Sequence, residues 1–376
     1  MKSSIRFGKL FGIEIGLHYS WFVIALLITM SLSSQFQASH AEWGSSVIWA
    51  LSILTALLFF VTLVAHEMSH ALVARARGLT TKAITLFALG GVAQIEKEPE
   101  DAKTEFLVGI AGPLSSAVIG FGSLAIAWAL GWPIGTMPET PLLAMFVWLG
   151  YINLTLAAFN MIPGYPLDGG RILRSILWMA SHDGVKATRM AANVGKIIAL
   201  LFIAFGIFRY FDGAGFGGLW LAFIGWFLLQ AATASVSSVT LTANLKGVRV
   251  SDVMTADCVK VDGNINVEHF VEDHLLRSGR RCFVVEQNGQ VTCLVTAHEI
   301  KELERPRWKY TTLVDIMRPL DQLHTVTPTT PVMEALETMG RDDVNQLPVV
   351  TGNHLDGIVT RANVLQFLQT RAELGR

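Results

Sequence analysis

Charge is scarce in the first two thirds of this chain. Of the 59 Asp, Glu, Lys and Arg side chains in 376 residues, residues 1–246 hold 27, whereas the 130 residues that follow hold 32. With 52% hydrophobic residues, this distribution excludes a wholly soluble globular protein and implies a membrane part followed by a soluble part. The formal net charge is only −1 and no long basic patch occurs. A nucleic-acid partner is therefore excluded, since nothing in the chain could displace phosphate counterions over a long stretch. Cysteine is equally sparse. Cys258, Cys282 and Cys293 all fall in the charged part, are odd in number and form no C-x-x-C pair, which argues against a disulfide framework and fits a reducing cytosol.

What is present instead is long apolar runs. They predict six crossings, at about 17–35, 47–76, 106–130, 142–162, 191–211 and 216–236. Lys2, Arg6 and Lys9 ahead of the first run resemble the start of a secretory signal, but no small-residue cleavage site follows, so a retained first span is expected. The loops near 36–46 and 131–141 contain no Lys or Arg, while Arg75, Arg77, Lys82, Lys97, Lys103, Arg171, Arg174, Lys186, Arg189 and Lys246 all lie on the opposite side. The positive-inside rule then places the N-terminus and the charged C-terminal part in the cytoplasm, in a multi-pass protein of the cell (inner) membrane.

The chemistry starts on the second span. Nineteen uncharged residues, Val47 to Ala65, run into His66-Glu67-Met68-Ser69-His70. Positions four apart share one face of a helix, so His66 and His70 aim their imidazoles at one point and can hold a zinc ion. Glu67 can take a proton from water that the metal has acidified. Two histidines four apart could instead be hydrogen-bonded core residues, yet ionisable groups in an apolar span are costly unless they have a function. Catalytic zinc needs a third protein ligand. Asp168 is the candidate, in Phe159-Asn160-Met161-Ile162-Pro163-Gly164-Tyr165-Pro166-Leu167-Asp168-Gly169-Gly170, where prolines and glycines end the fourth span in an irregular segment at the depth of the histidines.

Two further features lie between these motifs. Residues 83–95 are apolar and β-prone around Gly90-Gly91, predicting a hairpin that turns at the glycines and dips into the membrane beside the metal. Ala111-Gly112-Pro113 is a small-residue notch suited to close helix packing.

Together, H-E-x-x-H on an apolar helix, the later N-x-x-P-x-x-P-L-D-G-G segment and a six-span core resemble the site-2 protease family of intramembrane zinc metalloproteases. The resemblance implies His66, His70 and Asp168 as zinc ligands, Glu67 as catalytic base, Asn160 as a polar contact near the reacting peptide, and the Gly90-Gly91 region as a β-element that pairs with an extended substrate. The implied substrate is another membrane protein, single-span, such as an anti-sigma factor or other signalling protein. A domain inserted between the motifs on the outer side, common in bacterial members, has no room in the loop near 131–141.

In the charged part, Ser251-Asp252-Val253-Met254 recurs as Val314-Asp315-Ile316-Met317, and Leu294-Val295-Thr296 as Ile358-Val359-Thr360. Two β-α-β-type units are expected. Their order resembles a tandem CBS pair, whose relatives often bind adenine nucleotides between the units. Where such relatives carry an Asp three positions after a Ser or Thr, this chain has Glu299 after Thr296 and Asn363 after Thr360. A structural tail, or one that joins two copies as a homodimer, is the competing reading.

The expected fold is thus a polytopic α-helical membrane protein with an embedded β-hairpin, followed by an α/β tandem CBS domain. The domains run 1–246 (protease), 247–310 (first CBS) and 311–376 (second CBS). A CBS-gated transporter is the rival, but residues 1–240 show no internal membrane repeat of the kind transporters carry. A catalytically silent membrane scaffold is a second rival, and the intact Glu67 counts against it.

Overall fold

The computed structural model describes residues 5–87, 90–95, 99–256, 259–278, 283–287, 290–295, 300, 303–319, 323–352 and 354–374. It divides into two compact units, residues 1–239 and 240–376.

Six helices of the described residues are long and apolar enough to cross a membrane. They are α1 (Ser20–Ser39), α2 (Ser45–Ala76), α3 (Ala102–Ala129), α4 (Pro141–Asn160), α6 (Gly184–Arg209) and α7 (Phe216–Leu245). Local chemistry sets their starts. Asp101 accepts a hydrogen bond from the Thr104 amide at 2.8 Å, Thr140 caps α4 ahead of Pro141 at the first helical position, and Asp183 accepts from the Val185 and Lys186 amides. The fifth and sixth helices extend beyond the apolar runs, because polar turns such as 184–190 and 237–245 continue the hydrogen-bonded helix past the hydrophobic stretch.

Glycine brings the helices together. A Cβ on Gly120 of α3 would lie 3.0 Å from the Gly150 carbonyl oxygen of α4, and one on Gly150 would lie 2.6 Å from Leu124. Backbones this close gain dispersion contacts that lipid chains cannot match.

Residues before the first span are not merely a lead-in. Strand β1 (Ile5–Leu10) pairs antiparallel with β2 (Ile13–Leu17), and β2 pairs in parallel with β3 (Thr81–Phe87), Glu14 opposite Ala83 and Leu17 opposite Leu86. Strand β4 (Gly90–Ile95) closes a four-stranded sheet of order β1-β2-β3-β4. Ile13, Leu17, Ile84 and Leu86 bury against Phe60, Leu63, Met68 and Ala71 of α2. The sheet is thereby fixed to the helix that carries the histidines. Strands β3 and β4 pair as an antiparallel hairpin, but Gly90 and Gly91 are not its turn. Gly90 pairs with Phe87 and Gly91 with Leu86, so both glycines belong to β4.

Asp168 does not sit in an irregular segment either. Residues 161–167 are irregular, but Asp168 opens a further helix, α5 (Asp168–Ser181). Its apolar residues form one stripe rather than a full coat, so a search for spans passes over it.

The second unit contains a sheet of β5 (Val259–Asp262), β6 (Phe283–Gln287), β7 (Gln290–Val295) and β8 (Arg318–Pro319), and a hairpin of β9 (Gln346–Thr351) and β10 (His354–Thr360). The two cores exchange their opening segments. Val248, Val250 and Val253 bury with Val332, Leu347 and Val349, while Leu313 buries with Val261, Phe270 and Phe283. Equivalent hydrogen bonds make each exchange: the Val250 amide donates to the Thr330 carbonyl at 2.9 Å, and the Leu313 amide to the Ile265 carbonyl at 3.1 Å.

Candidate metal centre

His66 lies about 32 Å along α2 from Ser45, at 1.5 Å per residue, so a helical length of about one hydrophobic thickness, ~30 Å, precedes it. His66, His70 and Asp168 converge, and among the described residues they form the one cluster of three or more potential metal-ligating side chains. Asp168 Oδ2 is 3.3 Å from His66 Nε2 and 3.2 Å from His70 Nε2, and the two Nε2 atoms are 3.3 Å apart. All three residues are largely shielded from solvent.

Helix α3 dictates what these atoms can do. His70 Nδ1 lies 2.6 Å from the Val108 carbonyl oxygen, which can only accept, so Nδ1 carries the proton and Nε2 presents a lone pair. His66 Nδ1 is 2.9 Å from the Ser116 hydroxyl, which can accept its proton in the same way. Acceptor atoms at this spacing in a buried site repel one another unless a cation sits between them. Two donors bound at ~2.0–2.1 Å to a tetrahedral zinc ion stand about 3.3 Å apart, and two imidazoles with one carboxylate are a donor set that zinc takes. The residues fit the metal. Asp168 also occupies the first turn of α5, where the helix dipole favours a carboxylate.

Glu67 follows His66 on α2 and meets β4. A Cβ on Gly91 would lie 2.5 Å from Glu67 Cγ and 3.0 Å from Oε1, so only glycine lets the strand come this near the carboxylate. The Ala111-Gly112-Pro113 notch likewise does more than ease packing. A Cβ on Gly112 would lie 2.5 Å from His66 Nε2 and closer still to His70 Nε2. Ser116, Val108 and Gly112 were not predicted as site residues, and only the notch offered a signal.

Asn160 is the last residue of α4 and half-buried. In the second unit, Thr360 and Asn363 cap one another at the start of helix 361–373. The Thr360 hydroxyl donates to Asn363 Oδ1 at 2.6 Å, the Asn363 amide donates to Thr360 Oγ1 at 3.0 Å, and Asn363 Nδ2 donates to Thr255 Oγ1 at 3.0 Å. Their polar atoms are thus engaged in holding the fold. Thr296 and Glu299 lie outside the described residues.

A helical membrane domain bearing a His-His-Asp cluster beside a glutamate defines a membrane metalloprotease. Comparison with known proteins agrees. The profile of Peptidase family M50 matches residues 54–137 and 126–203, and that of the CBS domain matches 250–305 and 313–370. The chain is 34% identical to "Putative zinc metalloprotease Rip3" of Mycobacterium tuberculosis, over 98% of this chain and 93% of that one. It is 31% identical to zinc metalloprotease MJ0392 of Methanocaldococcus jannaschii, over 100% and 99% of the two chains. Among solved structures, a site-2 protease from Methanocaldococcus jannaschii is 33% identical, covering 62% of this chain and 94% of that one at a TM-score of 0.44. The chain belongs to Peptidase family M50, the site-2 proteases, and carries a tandem CBS pair. It is a membrane metalloprotease of a family that implies zinc.

Proposed function

We propose that this chain is a zinc-dependent endopeptidase that hydrolyses a peptide bond within or near the transmembrane segment of another membrane protein. One observation carries the reading: three acceptor atoms, two from the apolar helix α2 and one from α5, stand 3.2–3.3 Å apart. In this reading His66, His70 and Asp168 hold the ion. When bound, zinc supplies Lewis-acid polarisation of the scissile carbonyl and acidifies water. Glu67 accepts the proton of the attacking water and returns it to the leaving amine. Strand β4 is at an edge of its sheet, so a substrate helix that has unwound can add to it as a further strand at Gly90 and Gly91. Asn160 serves as a polar contact for that peptide. The test is the metal: the purified chain should hold one zinc, and His70→Ala or Asp168→Asn should release it. A full complement of zinc in either variant would overturn the ligand assignment.

In the topology we propose, residues 1–246 form the membrane protease with its N-terminus in the cytoplasm, and the CBS units at 247–310 and 311–376 are cytoplasmic. In a chain whose three cysteines are replaced by serine, Ile134→Cys, at a position 77% exposed, should react with a membrane-impermeant thiol reagent in intact cells. Tyr310→Cys, at a position 87% exposed, should react only after permeabilisation. The reverse pattern would invert the protein in the membrane.

The tail, in the same proposal, senses an adenine nucleotide and adjusts the protease. A coupling of about 1 kcal/mol would alter cleavage roughly fivefold, measured on the full chain with and without AMP or ATP. No binding would leave the tail with its competing use, joining a second copy, which light scattering on the purified chain would reveal as a dimer.

A further inference from the structure

Beside the metal cluster lies a buried charge group that the reaction does not use. Glu105, in the first turn of α3, is fully buried. Its Oε1 accepts from Arg171 Nε at 3.2 Å and lies 3.3 Å from Arg174 Nη1. Both arginines come from α5, three residues apart, and Arg171 is itself three residues after Asp168, so all three side chains share one side of α5. Arg174 is also buried, with its guanidinium 5.5 Å from the centre of the Trp178 ring. The facing side of α3 reads Glu105, Gly109, Gly112, Ser116. Gly109 is pressed against α5, where a Cβ would lie 3.3 Å from Ile172, 3.5 Å from Arg171 Cβ and 3.6 Å from the Asp168 carbonyl oxygen. Gly112 and Ser116 touch the histidines. One face of one helix therefore meets both halves of the metal cluster, and its only charge grips α5.

We infer that Glu105 is a positioning residue for the metal centre: by holding Arg171 and Arg174 it fixes α5 in register on α3, and so fixes Asp168 opposite His66 and His70. A glycine contact permits sliding, because it offers shape without direction. Hydrogen-bonded charges in a poorly solvated place do not, since each half-ångström of slip lengthens two charge-assisted bonds that water cannot replace. Without this grip, the two histidines stay in place on α2, held by Ser116 and Val108 of α3, while the third ligand drifts.

The inference rests on the zinc reading of His66, His70 and Asp168, and the experiment separates the two. Zinc affinity is measured by chelator competition on purified full-length protein, alongside the melting temperature of the metal-free protein and the visible spectrum of its cobalt form. Glu105→Gln keeps the shape and removes the charge. It should weaken zinc binding about 10–100-fold, the range found when a residue supporting a metal ligand is lost, and should alter the cobalt spectrum. Lys103→Gln, an exposed neighbour on the same turn, should change neither. A lowered melting temperature with native zinc affinity and spectrum would overturn the inference and leave Glu105 a structural ion pair. Where Glu105→Gln fails to accumulate, Arg174→Lys keeps the charge but loses the guanidinium fork. It should shift affinity and spectrum in the same direction by less, and native values there would equally overturn the inference. Native zinc binding by His66→Ala would instead overturn the ligand reading itself.

Discussion

Glu67→Gln protein will bind zinc as the native chain does and cleave its substrate at least ~100-fold more slowly, within the range general acid–base groups contribute. Glutamine keeps the size and one acceptor of glutamate but cannot take a proton from water. The side chain is confined, since Gly91 of β4 leaves no room for a Cβ between strand and carboxylate, so no neighbouring acid can move into its place without displacing the sheet. Zinc content separates this outcome from general damage, because Glu67 contributes none of the three converging acceptor atoms. Zinc analysis together with cleavage of a single-span membrane substrate in detergent checks it. Native cleavage by Glu67→Gln would remove Glu67 from the mechanism.

Gly112→Ala will abolish zinc binding, although helix propensity alone favours the change by roughly 0.5–1 kcal/mol. The added methyl would stand 2.5 Å from His66 Nε2 and 2.7 Å from His70 Cε1. Neither ring can retreat easily, because His66 is tied to Ser116 and His70 to the Val108 carbonyl, both on the helix that would carry the methyl. Gly122→Ala on the same helix meets nothing within 4 Å and should be neutral or mildly stabilising. Zinc binding by both variants, measured side by side, isolates the steric effect. Equal binding would mean that α3 does not back the histidines.

How much of this was legible in the chain depended on distance along it. His66, Glu67 and His70 stand within five residues, and helical periodicity alone brings the imidazoles together. Asp168 is about a hundred residues away, and its candidacy rested on depth and on resemblance to a protease motif. The supports from α3 were illegible because Gly112, Ser116 and Glu105 acquire meaning only once another helix lies against them. Strands β1 and β2 were missed since five- and six-residue alternations are weak beside a long apolar run. Gly90-Gly91 reads as a turn because glycine signals turns more often than close approaches, whereas in the structure the close approach to Glu67 is what requires Gly91. The repeat in the tail was visible as sequence. That its cores trade segments was not, because repetition says which pieces are alike and nothing about which pieces touch.

That trade makes the tail an indivisible folding unit. A cut between residues 310 and 311 would leave each fragment missing a piece of its own interior: Leu313 would be taken from Phe270 and Phe283, and Val332 and Leu347 would lose Val250. The first repeat cannot finish folding until the chain has continued past Leu313, and the second keeps a gap that only an earlier segment fills. Denaturation should therefore be cooperative across both repeats. A substitution in the core of either repeat would be felt by its twin, giving the tail the mechanical character of a clasp rather than of two beads on a string.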